Sequence, residues 1–187
     1  MKKYLKPSLL SKKIKANLFS KYSSLTEINQ NGFFLNTYLS FYCSLGCLCV
    51  TKDTKIKLAN GIDYQIEKIK EGQLVLSFDI ENWVFTKNIV KKLVIHKNEN
   101  KNGYYVINKS LKITGNHHIW VRDKGWIMVE ELSIGDLLIN HKKEFMPVFS
   151  LDWKKGAKTV YNISLVNKPH NYFADGFLIH NMPAYKR

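Results

Sequence analysis

The chain has 187 residues, room for one domain of ordinary size with tails or for two small ones. Its 45% hydrophobic content is that of a globular protein and excludes a wholly disordered chain. A formal charge of +14, from 29 Lys and Arg against 15 Asp and Glu, makes a nucleic acid or an anionic membrane the first partner to consider.

The charge is unevenly spread. Residues 1–48 hold seven lysines (Lys2, Lys3, Lys6, Lys12, Lys13, Lys15 and Lys21) against one acid, Glu27, for a net +6. Lys186 and Arg187 add +2, so more than half of the excess lies outside residues 49–181. Arg is nearly absent, and nucleic-acid sites enrich and cluster it, so the lysine excess reads as a solvated surface, and neither a nucleic-acid nor a membrane partner is expected. Within residues 1–48, Leu9, Leu10, Ile14 and Leu18 can line one face of a short basic helix before 23–32 breaks the pattern. The segment is expected to be a separate, weakly structured arm; a basic amphipathic helix there could touch a membrane or a partner. The basic opening is followed by Ser, Lys and Asn and does not resemble a signal peptide, and the run 33–50, interrupted by Asn36, Thr37, Ser40 and Ser44, does not resemble a membrane span. Cys43, Cys47 and Cys49 are an odd set at one spot: no disulfide framework and no four-ligand zinc site. A reducing, cytoplasmic setting is expected, with no metal and no cofactor.

From Cys49 onward short apolar runs rich in Val, Ile, Tyr, Phe and Trp predict strands over 55–58, 74–78, 83–95, 104–107, 111–114, 119–122, 137–140, 159–166 and 176–179. Turn residues separate them: Asn60-Gly61, Glu71-Gly72, Asn102-Gly103, Lys124-Gly125, Gly135-Asp136 and Asp175-Gly176. No helical period is sustained, and the fold class is all-β. Residues 66–76 and 129–139 are an internal repeat whose glycines, Gly72 and Gly135, stand 63 positions apart and each launch an apolar strand. Two copies imply one domain of two related halves that close a shared core.

No Walker loop, Gly-x-Ser-x-Gly, paired-His zinc helix or dinucleotide fingerprint is present. Chemistry-bearing residues stand instead at the edges of the β domain. Cys49 opens it, His180-Asn181 closes it, and Thr114-Gly115-Asn116-His117 ends an apolar strand between them. The run Cys49-Val50-Thr51-Lys52-Asp53-Thr54 resembles the opening block of inteins and their Hint-domain relatives, and Thr114-x-x-His117 resembles their second block. Residues 160–163, then His170-Asn171-Tyr172-Phe173 and Asp175 through Asn181, resemble the closing blocks. Val160 follows His117 by 43 positions, so no homing-endonuclease insert fits and a minimal module is implied.

The resemblance implies a horseshoe of two pseudo-symmetric halves over 49–181, with 1–48 as upstream flank and 182–187 as tail. It implies single-turnover self-processing rather than a turnover enzyme. The Cys49 thiol would attack the Leu48 carbonyl and exchange an amide for a thioester. His117, titrating near neutrality, would protonate the leaving amine, and Thr114 would donate to the scissile peptide or orient the ring. Asn181 would cyclise and release Met182, helped by His180 and His170. The substrate would be the chain's own flanks, with no small-molecule substrate and a monomer expected. Two positions depart from the family. Met182 stands where splicing needs Cys, Ser or Thr, and a thioether cannot accept the acyl group. Asn162 stands where many inteins carry Asp, and Asn cannot exchange a proton. Cleavage without ligation is therefore expected. The alternatives are a catalytically silent Hint scaffold and a basic nucleic-acid or membrane module built on 1–48. His96, His118 and His141 match no motif.

Overall fold

The computed structural model describes residues 48–97, 103–156 and 159–183. The expected helix of the arm, Cys43 and Cys47 lie outside the described residues. Among those described, the backbone forms sixteen strands. They are β1 (Val50–Thr51), β2 (Lys55–Lys57), β3 (Asp63–Gln65), β4 (Leu74–Asp79), β5 (Val84–His96), β6 (Tyr104–Ile107), β7 (Leu111–Ile113) and β8 (His118–Val121). The series continues with β9 (Gly125–Met128), β10 (Leu137–Ile139), β11 (Phe145–Pro147), β12 (Leu151–Lys154), β13 (Val160–Leu165), β14 (Asn171–Ala174), β15 (Phe177–His180) and β16 (Met182–Pro183). The only helical turns among the described residues are two three-residue 3-10 turns, Ile66–Lys68 and Val129–Glu131. None is long and apolar enough to cross a membrane. The all-β expectation holds.

Two eight-stranded sheets result. One runs β12-β6-β7-β1-β13-β5-β4 with β16 added to β13; the other runs β11-β10-β8-β15-β14-β2-β3 with β9 added to β8. Alternation sets the faces: in β7, Leu111 and Ile113 are buried and Lys112 is exposed. β14 is buried at every position and β15 at all but its last, as suits central strands covered on both faces. Val50, Ile56, Ile107, Ile113, Ile119, Ile163, Leu165, Tyr172 and Ile179 belong to one continuous core. Each such side chain contributes about 1.5–3 kcal/mol on leaving water.

The repeat is real in three dimensions. Ile69 N–H bonds to Ile66 C=O and Leu132 N–H to Val129 C=O. Gly72 N–H reaches Val90 C=O, and Gly135 N–H reaches Val148 C=O. Both glycines have positive φ, +83° and +95°, which a Cβ would strain. The same 63-residue offset carries further than the sequence comparison did. Ile66 N–H bonds to Thr54 C=O and Val129 N–H to His117 C=O; Thr54 N–H bonds to Thr51 C=O and His117 N–H to Thr114 C=O. The turn Thr51–Thr54 is thus the counterpart of the turn Thr114–His117.

Candidate active site

One strand edge gathers the two ends of the domain. Antiparallel β1 pairs Val50 with Tyr161 and Thr51 with Val160, so one further step of the register sets Cys49 beside Asn162. Parallel β16 pairs Met182 with Ser164 and Pro183 with Leu165, so one step back sets Asn181 beside Ile163. Cys49 and Asn181 therefore stand at adjacent positions along β13, 132 residues apart in sequence.

Cys49 is buried, and its main chain is held on both polar atoms by one residue. Its N–H donates to Thr114 Oγ1 at 3.0 Å, and its carbonyl accepts the Thr114 N–H at 2.9 Å. Towards the 48/49 peptide the hydroxyl accepts; the motif leads one to expect that it donates to that peptide or orients the His117 ring. The Thr114–His117 turn then carries His117 inward to full burial. Its Nε2 lies 2.7 Å from the His180 carbonyl oxygen. A carbonyl only accepts, so the proton is on Nε2, and Nδ1 is buried without a well-formed hydrogen bond. Burial pushes the imidazole down to about 4, against the opposing pull of the His180 carbonyl. Titration near neutrality does not hold: a wholly buried ring with no carboxylate beside it cannot keep a proton at pH 7.

At the other end Asn181 N–H donates to the His170 carbonyl at 2.7 Å, extending the ladder that pairs Asn171 with His180. The Asn181 side chain is fully buried, and neither Oδ1 nor Nδ2 has a hydrogen-bond partner. An orphaned buried amide costs about 1–3 kcal/mol. His180 is half-buried and its ring meets Trp126 edge-on at 5.2 Å. Burial lowers its pKa, while the Asn181 main chain raises it, the sign expected of an imidazole N–H meeting a carbonyl. The six residues singled out from sequence, Cys49, Thr114, His117, His170, His180 and Asn181, are thus joined by main-chain and side-chain hydrogen bonds around one strand edge. His141 stands apart, its ring packed on Phe173, and His96 ends β5 opposite Val160. His118, which matches no motif, has its ring 6.3 Å from that of His180. Among the described residues no group of three or more His, Cys, Asp or Glu side chains is arranged to hold a metal ion.

This all-β fold is found in solved structures. The bacterial intein-like domain from Clostridium thermocellum superposes with a TM-score of 0.66 at 22% identity, over 73% of this chain and all of that one. The DnaB intein from Synechocystis gives 0.62 at 19% identity over 73% and 99%, and the DnaX mini-intein from Spirulina platensis 0.56 at 24% over 71% and 99%. The chain has the intein fold. No protein-family profile and no curated protein matches the sequence.

Within this intein fold three residues matter that motif reading did not select for the site. Asn162 is buried, and its Oδ1 accepts both the Ile163 N–H at 2.8 Å and the Tyr172 hydroxyl at 3.1 Å. Tyr172 is fully buried; burial raises its pKa first, and a negative charge on Cys49 would raise it further. The phenol stays protonated as a donor beside the thiol. Asn88, on β5, ties down the loop that leads to His170: its Nδ2 donates to the Asn167 and Pro169 carbonyls at 2.6 and 3.0 Å. Its Oδ1 accepts the Asn167 N–H at 3.1 Å. For Asn88 the available signal was a polar residue at a position that strand alternation sends inward; β13 is buried on both faces, so alternation gives none for Asn162.

Proposed function

We propose that the chain is a single-turnover self-processing element acting on its own flanks. It cuts the bonds 48/49 and 181/182 without joining the flanks. At the first bond Cys49 Sγ attacks the Leu48 carbonyl carbon, the C–N bond to Cys49 breaks, and a thioester replaces the amide. The thiol proton passes to neutral His117 and from it to the departing Cys49 nitrogen. At about 4, only about one His117 in a thousand is protonated at pH 7, so the ring works as base first and acid second. Water then hydrolyses the thioester, restoring the thiol and freeing residues 1–48 as a carboxylate.

At the second bond Asn181 Nδ2 attacks its own carbonyl carbon. The succinimide closes, the bond to Met182 breaks, and the proton lost by the amide goes to the Met182 nitrogen by way of His180. The observation that carries the reading is the Asn181 amide, fully buried with neither polar atom paired, one register step from Met182 and next to Cys49 along β13. Residues 1–48 are upstream flank and 182–187 downstream flank on this reading. Ligation fails because Met182 has no nucleophile to take the acyl group. Intact-mass analysis tests it. The wild-type chain should lose 1–48 and 182–187 over time; Cys49→Ala should keep the first segment and Asn181→Ala the second. A folded wild-type chain that stays at full mass with added thiol sinks the proposal.

A further inference from the structure

We infer that the open edge of β13 from Ile163 to Leu165 is a binding slot for the downstream flank, which it takes as an added parallel strand through main-chain hydrogen bonds. This deepens the proposed function by naming what the second cleavage accepts, and it rests on that function only in calling the bound segment a substrate. The argument starts from the ladder. β1 covers β13 at Val160 and Tyr161 and then ends, and the same edge is taken up again by Met182 and Pro183 at Ser164 and Leu165. Residues Tyr161, Ile163 and Leu165 send their N–H and C=O to this edge, since the groups alternate along a strand.

A parallel bridge between Ser164 and Met182 can be made in two ways. One needs an N–H at residue 183, and Pro183 has none. The other remains: Met182 N–H donates to the Ile163 carbonyl, and Leu165 N–H donates to the Met182 carbonyl. The remaining group at Ile163, its N–H, is taken by Asn162 Oδ1. Every main-chain group on the edge from 163 to the Leu165 N–H thus has an assigned partner. Leu165 is fully buried with the flank in place, so its N–H depends on the Met182 carbonyl for a partner.

Two consequences define the ligand. The slot reads an extended peptide by its backbone, as strand addition does, so the first side chain is not what it recognises. It excludes proline at the first position, where the N–H is used, and accepts it at the second, whose nitrogen points away from β13. The leaving nitrogen of the 181/182 bond is the atom the slot grips, and the Asn181 N–H is held by His170, so the scissile peptide is fixed on both sides.

Amide exchange on the full chain carrying Cys49→Ala and Asn181→Ala tests the slot with cleavage silenced. The Leu165 amide should be protected with Met182 in place, keep its protection within about threefold in Met182→Ala, and exchange at least about tenfold faster in Met182→Pro. The Tyr161 amide, bonded to β1, should not change across the three. Equal Leu165 exchange in the Ala and Pro variants overturns the main-chain slot, and so does loss of protection on Met182→Ala. Neither outcome depends on whether the wild-type chain cleaves itself, so this test and the mass analysis fail separately.

Discussion

The two related turns of the molecule carry the same main-chain hydrogen bonds and different chemistry, and only the first has a residue at positive φ, Asp53 at +69°. In Thr51–Thr54 the middle residues Lys52 and Asp53 are exposed, and Thr54 spends its hydroxyl on the Thr51 carbonyl at 2.7 Å. In Thr114–His117 the position of Lys52 is Gly115, where a Cβ would come within 2.9 Å of the Tyr105 ring and 3.3 Å of the Glu130 carboxylate. The second turn is therefore pressed under β6, and the residue at its end is sunk to full burial with its ring against the His180 carbonyl. One half keeps the turn as architecture; the other uses it to place an imidazole. On the proposed function only one of the two similar halves is reactive, and the difference between their turns is a glycine and a histidine.

That contrast can be broken by exchange of single residues. His117→Ala should slow cleavage at 48/49 by about a hundredfold or more. Thr54→Ala, at the matching position, should leave the rate within about threefold while costing about 1–2 kcal/mol of stability for its buried hydrogen bond. Timed mass spectrometry and thermal melts on both variants decide it; comparable rate losses would end the assignment of roles. The pH dependence of stability comes next. His117 binds protons more readily unfolded, near 6.5, than folded, at about 4, so stability should be full above pH 6.5 and fall as pH drops to 4. The loss is on the order of 3 kcal/mol, and urea melts of His117→Gln should lack it.

Thr114→Val should slow the 48/49 cleavage by about tenfold, the worth of one hydrogen bond of about 1.4 kcal/mol, whereas Thr51→Val should not alter it. The smallest effect concerns Asn88. Asn88→Ala should slow 181/182 cleavage by a few fold, about 1 kcal/mol, through the loosened His170 carbonyl, and leave 48/49 within about twofold. Equal slowing of both bonds would make Asn88 a packing residue only.

Much of this was readable from the chain. Runs rich in β-branched and aromatic residues marked the long strands, including β5, expected over 83–95 and found at Val84–His96, although its apolar residues come in clusters at 84–85, 89–90 and 93–95. β3, β9, β11 and β12 escaped: they are three or four residues long, half-exposed, and built on edges where packing asks little of the side chains. The stretch Asn171–Ala174 was noticed for its motif and not as a strand, since full burial on two faces removes alternation. Of the site, the order of Cys49, Thr114, His117, His170, His180 and Asn181 was legible, being local spacing. What acts on them was not. The grip of Asn88 on Pro169 and of Tyr172 on Asn162, and the acidity of His117, arise from pairings across 81 and 10 residues and from burial, none of which one segment encodes.

The convergence on β13 has a mechanical side. β1 runs antiparallel to β13 and β16 runs parallel to it, so Leu48 lies upstream of β1 on the side towards which Met182 and Pro183 depart. Tension between the two flanks would therefore peel them apart at a fork and would not shear the sheet lengthwise. In peeling, hydrogen bonds carry the load one at a time, beginning with those at the fork. The first elements to feel a pull would be the bond of Cys49 to Thr114 and that of Asn181 to His170, with the core behind them still at rest. A pull on the two ends of this sheet edge loads the bonds of Cys49 and Asn181 before anything else.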